Sequence, residues 1–386
     1  MTLHPPTKPS WNGLTETRPT LPSSAYLSDE AFRRDLDAIW YRHWIHVCRS
    51  SDLAEPRAFR LTRIGDQEIL LLRHEDGGLR AFHNSCRHRG AALKSEECGR
   101  LAGRLIVCPY HAWSYSMDGA LVRTSSKVLP AGFDKAAHGL YPVAVSEWRG
   151  FVFVNLAAGP GAAVDGFDGD PGTLASWPLE RLERGPVYRK EIACNWKVFW
   201  ENFNECLHCP GVHPELSALV PIYGRGLMER RDDPAWQAHA DDDAPQFSGR
   251  LRDGAETWSR DGSAQGRAFA GLTEADRRAG QSYVTHLPSF FVVGHADYVR
   301  SVSLRPLGPS RTELTAEWYF AEETRPETAE ALDNVVAFGT LVLDQDAAIC
   351  EVNQRGLSAL PHRHGTLMPE EYEIARFHGW VAARTG

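Results

Sequence analysis

Residues 204–213 read NECLHCPGVH, which puts two histidines, two cysteines and a glutamate within ten positions. A CxxC pair beside histidine suits structural zinc, whereas two histidines five apart suit a metal site completed by a distant carboxylate. On a continuous helix, five positions would leave the rings of His208 and His213 well over a hundred degrees apart. Pro210 and Gly211 are expected to end that helix after Cys209 and turn the chain, so that His213 comes back toward His208. Glu205 lies three residues before His208, on the same helical face, where it can accept a hydrogen bond from the second ring nitrogen. A zinc clip through Cys206 and Cys209 is awkward, because the neighbours His208 and Cys209 would diverge by about 100° on a helix. The two cysteines read instead as residues that pack the helix.

A second constellation stands earlier in the chain. Cys86 and His88 lie in CRH, and Cys108 and His111 lie in CPYH, with nineteen residues between His88 and Cys108. Each pair closes a strand-like run and precedes turn-prone residues, so two loops can present four ligands to one point. Two thiolates and two imidazoles suit tetrahedral zinc, and equally a two-iron cluster in which histidines replace cysteines on one iron. Zinc fingers usually group Cys with Cys and His with His. Alternation within each loop instead offers one ligand per loop to each of two irons.

A carboxylate for the His208 and His213 pair must come from elsewhere. The segment TLVLDQDAAICEVNQRGL offers Asp344, Asp346 and Glu351. Asp344 and Asp346 are about 200° apart on a helix, so only one can face a metal. Periodicity does not choose between them, since both have apolar neighbours at helical spacing.

The elements that must position these groups divide the chain. SDEAFRRDLDAIWYRHW, from Ser28 to about Trp44, spaces Phe32, Leu36 and Ile39 as one helix face, with Ser28 or Asp29 as N-cap. From Phe59 to Leu156 short β-type runs such as EILLLR and GFVFVNL alternate with DGG and DG turns, as in a small all-β domain. Residues 157–172, AAGPGAAVDGFDGDPG, have a linker's composition. Beyond it come a strand near 185–194, a helix on NWKVFWENFNECLH, a polar stretch over 224–280, further strands, and a C-terminal helix for which Thr324 and Glu327 offer a capping box. At 386 residues two domains are the reasonable expectation. The net charge of −8 argues against a nucleic-acid partner, and no apolar run reaches the roughly 18 residues that span a bilayer. The first twenty residues lack the pattern of a secretory signal, and eight cysteines are too sparse for a disulfide scaffold, so a reducing cytoplasm is expected.

FHNSCRHRGAAL and CPYHAWSYSMDGAL resemble the Rieske [2Fe-2S] domain, and NWKVFWENFNECLHCPGVH with QDAAICEVNQ resembles the catalytic subunits of Rieske non-haem iron oxygenases. The resemblance implies an α+β chain: an all-β Rieske domain over 44–156, preceded by an arm and helix over 1–43, and followed after the linker by a helix-grip catalytic domain with an antiparallel sheet over 173–386. It implies cluster ligands Cys86, His88, Cys108 and His111, and mononuclear Fe(II) ligands His208, His213 and Asp346. Glu205 falls on the acid that, in a homotrimer, links His208 to His111 of the neighbouring subunit; most of the family has Asp there. The chain has no dinucleotide fingerprint, P-loop or four-cysteine ferredoxin spacing, so an NAD(P)H-dependent flavin/iron-sulfur reductase is the expected partner, with O2 as co-substrate.

ENFNECLHCPGVHPEL and HADYVRSVSLRPLGPSRTEL are similar to the branch that oxidises quaternary ammonium compounds such as glycine betaine, choline, carnitine and stachydrine. A quaternary cation would sit on aromatic faces, for which Trp200, Phe203, Tyr223, Trp258, Phe290, Phe291 and Tyr298 are candidates, two or three of them touching it. A basic residue should meet a substrate carboxylate, but the sequence does not single one out. The rival activity is ring hydroxylation of an aromatic compound. A Rieske electron carrier without oxygenase activity is the reading from another class, and the set His208, His213 and Asp346 separates it from an oxygenase.

Overall fold

Alternating apolar residues fold the stretch after Trp44 into antiparallel strands. The computed structural model describes residues 11–167 and 171–386; the first ten residues of the expected arm and 168–170 of the expected linker lie outside these. Ten strands follow in order: β1 (Ile45–Arg49), β2 (Ala58–Ile64), β3 (Gln67–Arg73), β4 (Leu79–His83), β5 (Cys98–Arg100), β6 (Leu105–Val107), β7 (Ser114–Ser116), β8 (Leu121–Arg123), β9 (Pro142–Trp148) and β10 (Phe151–Asn155). Seven form one sheet in the order β1-β10-β9-β4-β3-β2-β5, and β6-β7-β8 form a second. The run EILLLR is buried on both faces. Leu70 and Leu72 join Phe82, Ile106, Trp113, Tyr115 and Leu121 in a core that also contains Cys86 and Cys108. These strands belong to one compact unit, Asp35–Phe167 with His286–Phe290.

The two ligand-bearing loops share one backbone scheme. The N–H of Gly90 donates to the carbonyl of Cys86 at 2.8 Å, and the N–H of Ala112 to that of Cys108 at 3.0 Å. In turn the Cys86 N–H donates to the Ala91 carbonyl at 2.9 Å and the Cys108 N–H to the Trp113 carbonyl at 2.8 Å. Both fourth residues are left-handed, with φ of 78° at Gly90 and 54° at Ala112. The knuckle turns the histidine outward while its cysteine stays in the core.

The second unit comprises Met1–Arg34, Asp168–Thr285 and Phe291–Gly386. Its sheet has strands β11 (Glu183–Ile192), β12 (Ser282–His286), β13 (Phe290–Gly294), β14 (Val299–Gly308) and β15 (Arg311–Phe320), in the antiparallel order β11-β15-β14-β13-β12. Helices α1 (Trp196–Phe203), α2 (Cys209–Val212), α3 (Pro214–Leu219), α4 (Ala329–Leu357) and α5 (Tyr372–Thr385) accompany it. The 29-residue α4 is gripped by the sheet and buries the stripe Val335, Phe338, Gly339, Val342, Leu343, Ala347 and Cys350. Asn195 caps α1 by accepting from the Lys197 N–H at 3.0 Å, and its own N–H donates to Gln354 of α4 at 2.9 Å.

Three boundaries differ from expectation, the first being the opening helix, which ends at Trp40 and not at about Trp44. Helix α4 starts from Thr328, whose hydroxyl oxygen accepts from the Ala331 N–H at 3.1 Å, and not from Thr324. Pro326 disfavours helical geometry at Arg325, which is extended at ψ 128°, so no helix can run through from Thr324. Helix α1 ends at Phe203, six residues before the expected break after Cys209.

The space beside Gly90 is open: the nearest atom to a Cβ attached there would be 4.0 Å away, so a side chain meets only the cost of the left-handed backbone. Gly90→Ala is therefore expected to lower unfolding stability by about 1–2 kcal/mol. Denaturant midpoints compared with those of Ala112→Gly, which should be unchanged or higher, check this.

Candidate active site

The stretch between α1 and α2 is not helical. Glu205 folds its carboxylate back to accept from the backbone N–H groups of Leu207 and His208, and this holds a turn where helix was expected. His208 is then the N-cap and His213 the C-cap of the single-turn helix α2. Pro210 sits in its first turn, where a missing N–H costs nothing, so Pro-Gly begins a helix here and does not end one. The convergence of the two histidines arises because they flank one helical turn.

His208 Nε2 lies 3.2 Å from His213 Nε2, His213 Nε2 lies 2.9 Å from Asp346 Oδ1, and His208 Nε2 lies 3.6 Å from the same oxygen. Three ligands at right angles around a divalent ion, each about 2.1 Å from it, are about 3 Å apart, so the triad fits a facial metal site with open positions. Both rings are oriented from behind. His208 Nδ1 bonds Glu205, although Glu205 does not share a helical face with it as expected. His213 Nδ1 donates to Gln345 Oε1 at 2.8 Å, and Gln345 Nε2 donates to Glu215 at 2.9 Å. When a metal is held, each Nδ1 keeps its proton and both Nε2 lone pairs are free for it; without one, an Nε2 proton would instead be shared with Asp346.

The remaining acids are engaged elsewhere. Asp344 accepts from Tyr188 and Lys190 at 2.5 Å each, and Glu351 accepts from the Ala193 N–H at 3.1 Å. Asp346 continues the buried stripe of α4, four residues after Val342 and seven after Gly339. Burial pushes its carboxyl pKa up, but hydrogen bonds to His208 and His213 outweigh that and hold it below the usual value. Burial likewise opposes the His208 imidazolium, yet Asp346 and Glu205 raise its pKa to about 9.

Cys206 and Cys209 are joined by a disulfide, in place of the free packing pair expected. The turn at 204–208 brings their Cα atoms to 4.9 Å, a bridgeable separation. This excludes a zinc clip, and it places a covalent loop around His208.

The triad sits at one side of a cavity of about 100 Å³. Its aromatic wall is Phe199, Phe203, Tyr223, Trp258, Tyr283 and Phe291, with Phe203 and Phe291 at a ring separation of 4.3 Å. Among the aromatic candidates, Trp200, Phe290 and Tyr298 do not line it. Trp200 backs Phe203 and Phe291 at 5.6 and 6.1 Å. Phe290 precedes Phe291 on a strand and therefore points to the other face, against His46, Phe151 and Phe153. Tyr298 stacks on His295 and donates to the Trp258 carbonyl at 2.8 Å. Sequence reasoning missed Phe199, Tyr283, Asn202 and Arg300. Asn202 Nδ2 is 3.1 Å from His208 Nε2.

In the other unit, Cys86 and Cys108 are buried while the His88 and His111 rings meet edge to face at 4.8 Å. His88 stacks on Trp113 at 4.7 Å, and the Tyr115 hydroxyl lies 3.1 Å from Cys86 Sγ. Burial raises the Cys86 thiol pKa, and the adjacent Cys108 adds to it. Paired buried thiols with paired outward imidazoles fit a cluster bound by two cysteines on one iron and two histidines on the other.

A family model for the ring hydroxylating alpha subunit (catalytic domain) matches residues 179–386, and one for the Rieske [2Fe-2S] domain matches 43–130. The chain is 29% identical to the glycine betaine monooxygenase oxygenase subunit of Chromohalobacter salexigens, over 94% of this chain and 85% of that one. It is 27% identical to the carnitine monooxygenase oxygenase subunit of Acinetobacter baumannii, over 94% of each. With the chloroplastic choline monooxygenase of Spinacia oleracea the identity is 28%, over 94% and 77%. The crystal structure of the quaternary ammonium Rieske monooxygenase CntA with L-carnitine has the same fold, at a TM-score of 0.69 and 24% identity over 96% of both chains.

Two outcomes follow from the triad. Protein purified with its metals should hold about three irons per chain; Asp346→Ala should hold about two with the cluster's visible spectrum intact, and Asp344→Asn should keep three. Metal and proton compete for His208, so the apparent affinity for Fe(II) should rise with pH and level off above about 9. Below that it should fall by up to roughly tenfold per pH unit in chelator competition.

Proposed function

The chain belongs to the ring-hydroxylating alpha-subunit family, and from that premise we propose that it is the oxygenase component of a Rieske monooxygenase acting on betaine-type quaternary ammonium compounds. Its cofactors are a Rieske [2Fe-2S] cluster and a mononuclear iron. The observation that carries the reading is the meeting of His208, His213 and Asp346 at the side of an aromatic-walled cavity. An iron in such a site supplies dioxygen activation.

The residues of the chain do the rest. Cys86 and Cys108 hold one cluster iron, and His88 and His111 the other. His208, His213 and Asp346 hold the mononuclear iron, and Gln345 keeps His213 in the tautomer that binds it. Glu205 fixes the tautomer of His208 and can carry a proton beside it. In a homotrimer it would connect His208 to His111 of the neighbouring copy, giving electrons and a proton one route. Phe203, Tyr223, Trp258 and Phe291 face the cation, each contact contributing roughly 0.5–2 kcal/mol. The cavity, about 100 Å³, is of a size for a small molecule.

Two electrons and two protons reduce one oxygen atom of O2 to water while the other enters a C–H bond of an N-methyl group. The resulting N-hydroxymethyl compound breaks its C–N bond to give formaldehyde and the demethylated amine. The electrons come from NAD(P)H through a separate reductase of the flavin/iron-sulfur type. No helix among the described residues is long and apolar enough to cross a membrane, and the reading places the protein in the cytoplasm with that reductase.

With a matching reductase, the protein is expected to release one formaldehyde per O2 consumed on glycine betaine, carnitine or a related betaine. A panel measured by oxygen uptake and formaldehyde decides it; turnover of aromatic hydrocarbons alone would overturn the proposal.

A further inference from the structure

Arg300, on β14, lines the cavity that holds the metal triad. It is 5% exposed, and its side chain makes no hydrogen bond or ion pair with any described residue; Nε and Nη1 are both buried without a partner. An unpaired buried cation is strongly unfavourable unless something of opposite charge meets it. Asp346, whose charge does reach Arg300, is already taken up by His208 and His213.

The surroundings are shaped for this side chain. Its cross-strand partner is Trp318, and both pack beneath Gly339 of α4. A Cβ on Gly339 would lie 2.9 Å from the Trp318 ring and 3.0 Å from Arg300 Nη1. Glycine inside a helix is less favourable than alanine, and here it makes room for a guanidinium. The indole N–H groups of Trp258, on the cavity wall, and of Trp318 are also buried with no partner among the described residues. This side of the site is thus rich in unmet donors, which calls for an acceptor that carries negative charge.

We propose that Arg300 binds the carboxylate of the substrate, and that the chain therefore selects zwitterions, a quaternary ammonium group joined to a carboxylate, over quaternary ammonium alcohols. The proposal rests on the quaternary-ammonium reading of the cavity for the cationic half and on Arg300 for the anionic half. A guanidinium offers two parallel N–H groups to a carboxylate and so fixes its direction. The cation then lies over the aromatic wall with a methyl group toward His208, His213 and Asp346. A substrate with a cation and no carboxylate would bring a second positive charge to Arg300 with nothing to balance it.

Three probes of similar shape test this on the iron-loaded protein by calorimetry: glycine betaine with both charges, choline with only the cation, and 3,3-dimethylbutanoate with only the carboxylate. The wild type should bind glycine betaine at least tenfold more tightly than choline. Arg300→Gln should weaken glycine betaine and 3,3-dimethylbutanoate at least about 30-fold and change choline by less than about threefold. Gly339→Ala, which crowds the guanidinium from the helix, should weaken the same two carboxylates selectively, and so serves if Arg300→Gln does not fold. Equal binding of glycine betaine and choline by the wild type, or unchanged carboxylate binding in a folded variant, overturns the proposal. Failure of every quaternary ammonium compound to yield formaldehyde would sink the reaction assigned above instead, and 3,3-dimethylbutanoate binding would still decide the role of Arg300.

Discussion

Three ligand atoms from segments 133 residues apart meet because one amphipathic helix lies on one antiparallel sheet. The buried stripe of α4 carries Asp346 to His213, and the single turn of α2 holds His208 and His213 on either side of the same point. Each ring is locked from behind by Glu205 or Gln345, so the site is rigid before anything binds. Displacing α4 along its axis by one residue, about 1.5 Å, would separate the carboxylate from both imidazoles.

The site handles buried charge by pairing it locally. Asp346 is ionised because two imidazoles hydrogen-bond it, and Glu205 has both oxygens engaged by His208 and the backbone. His295, fully buried, has its pKa depressed well below the ordinary imidazole value by burial and by the Arg300 charge, so it stays neutral. Among the described residues that line the cavity, Arg300 keeps an unbalanced charge, and it does so where substrate binds.

Much of this is legible in the sequence because ligand chemistry leaves dense local signals. CRH, CPYH and the His208 and His213 pair announce themselves by residue type, and Ser28 does cap the helix that follows it, accepting from the Ala31 N–H at 3.1 Å. The path between the two histidines is not legible: a carboxylate that captures two backbone N–H groups can replace a helical turn, and propensity does not register that. Helix periodicity leaves Asp344 and Asp346 undecided and the family resemblance selects Asp346; the stripe that carries it becomes plain once Gly339 is counted among the buried positions. Arg300 is illegible because strand residues reveal which face they occupy and not what packs above them. Among the aromatic candidates, Phe290 misses the cavity for the same reason. Phe290 and Phe291 are chemically alike, and only the pleat assigns one to the cavity.

The twin knuckles give the Rieske unit a front and a back. Thiols at 3% and 2% exposure lie behind, among Leu70, Leu72 and Tyr115, while His88 stands exposed and His111 half-exposed at the tips of their loops. Solvent and any docking protein can touch imidazole but not sulfur. Traffic in charge is thereby confined to one edge, and the oxidisable side stays sealed even when that edge is bare.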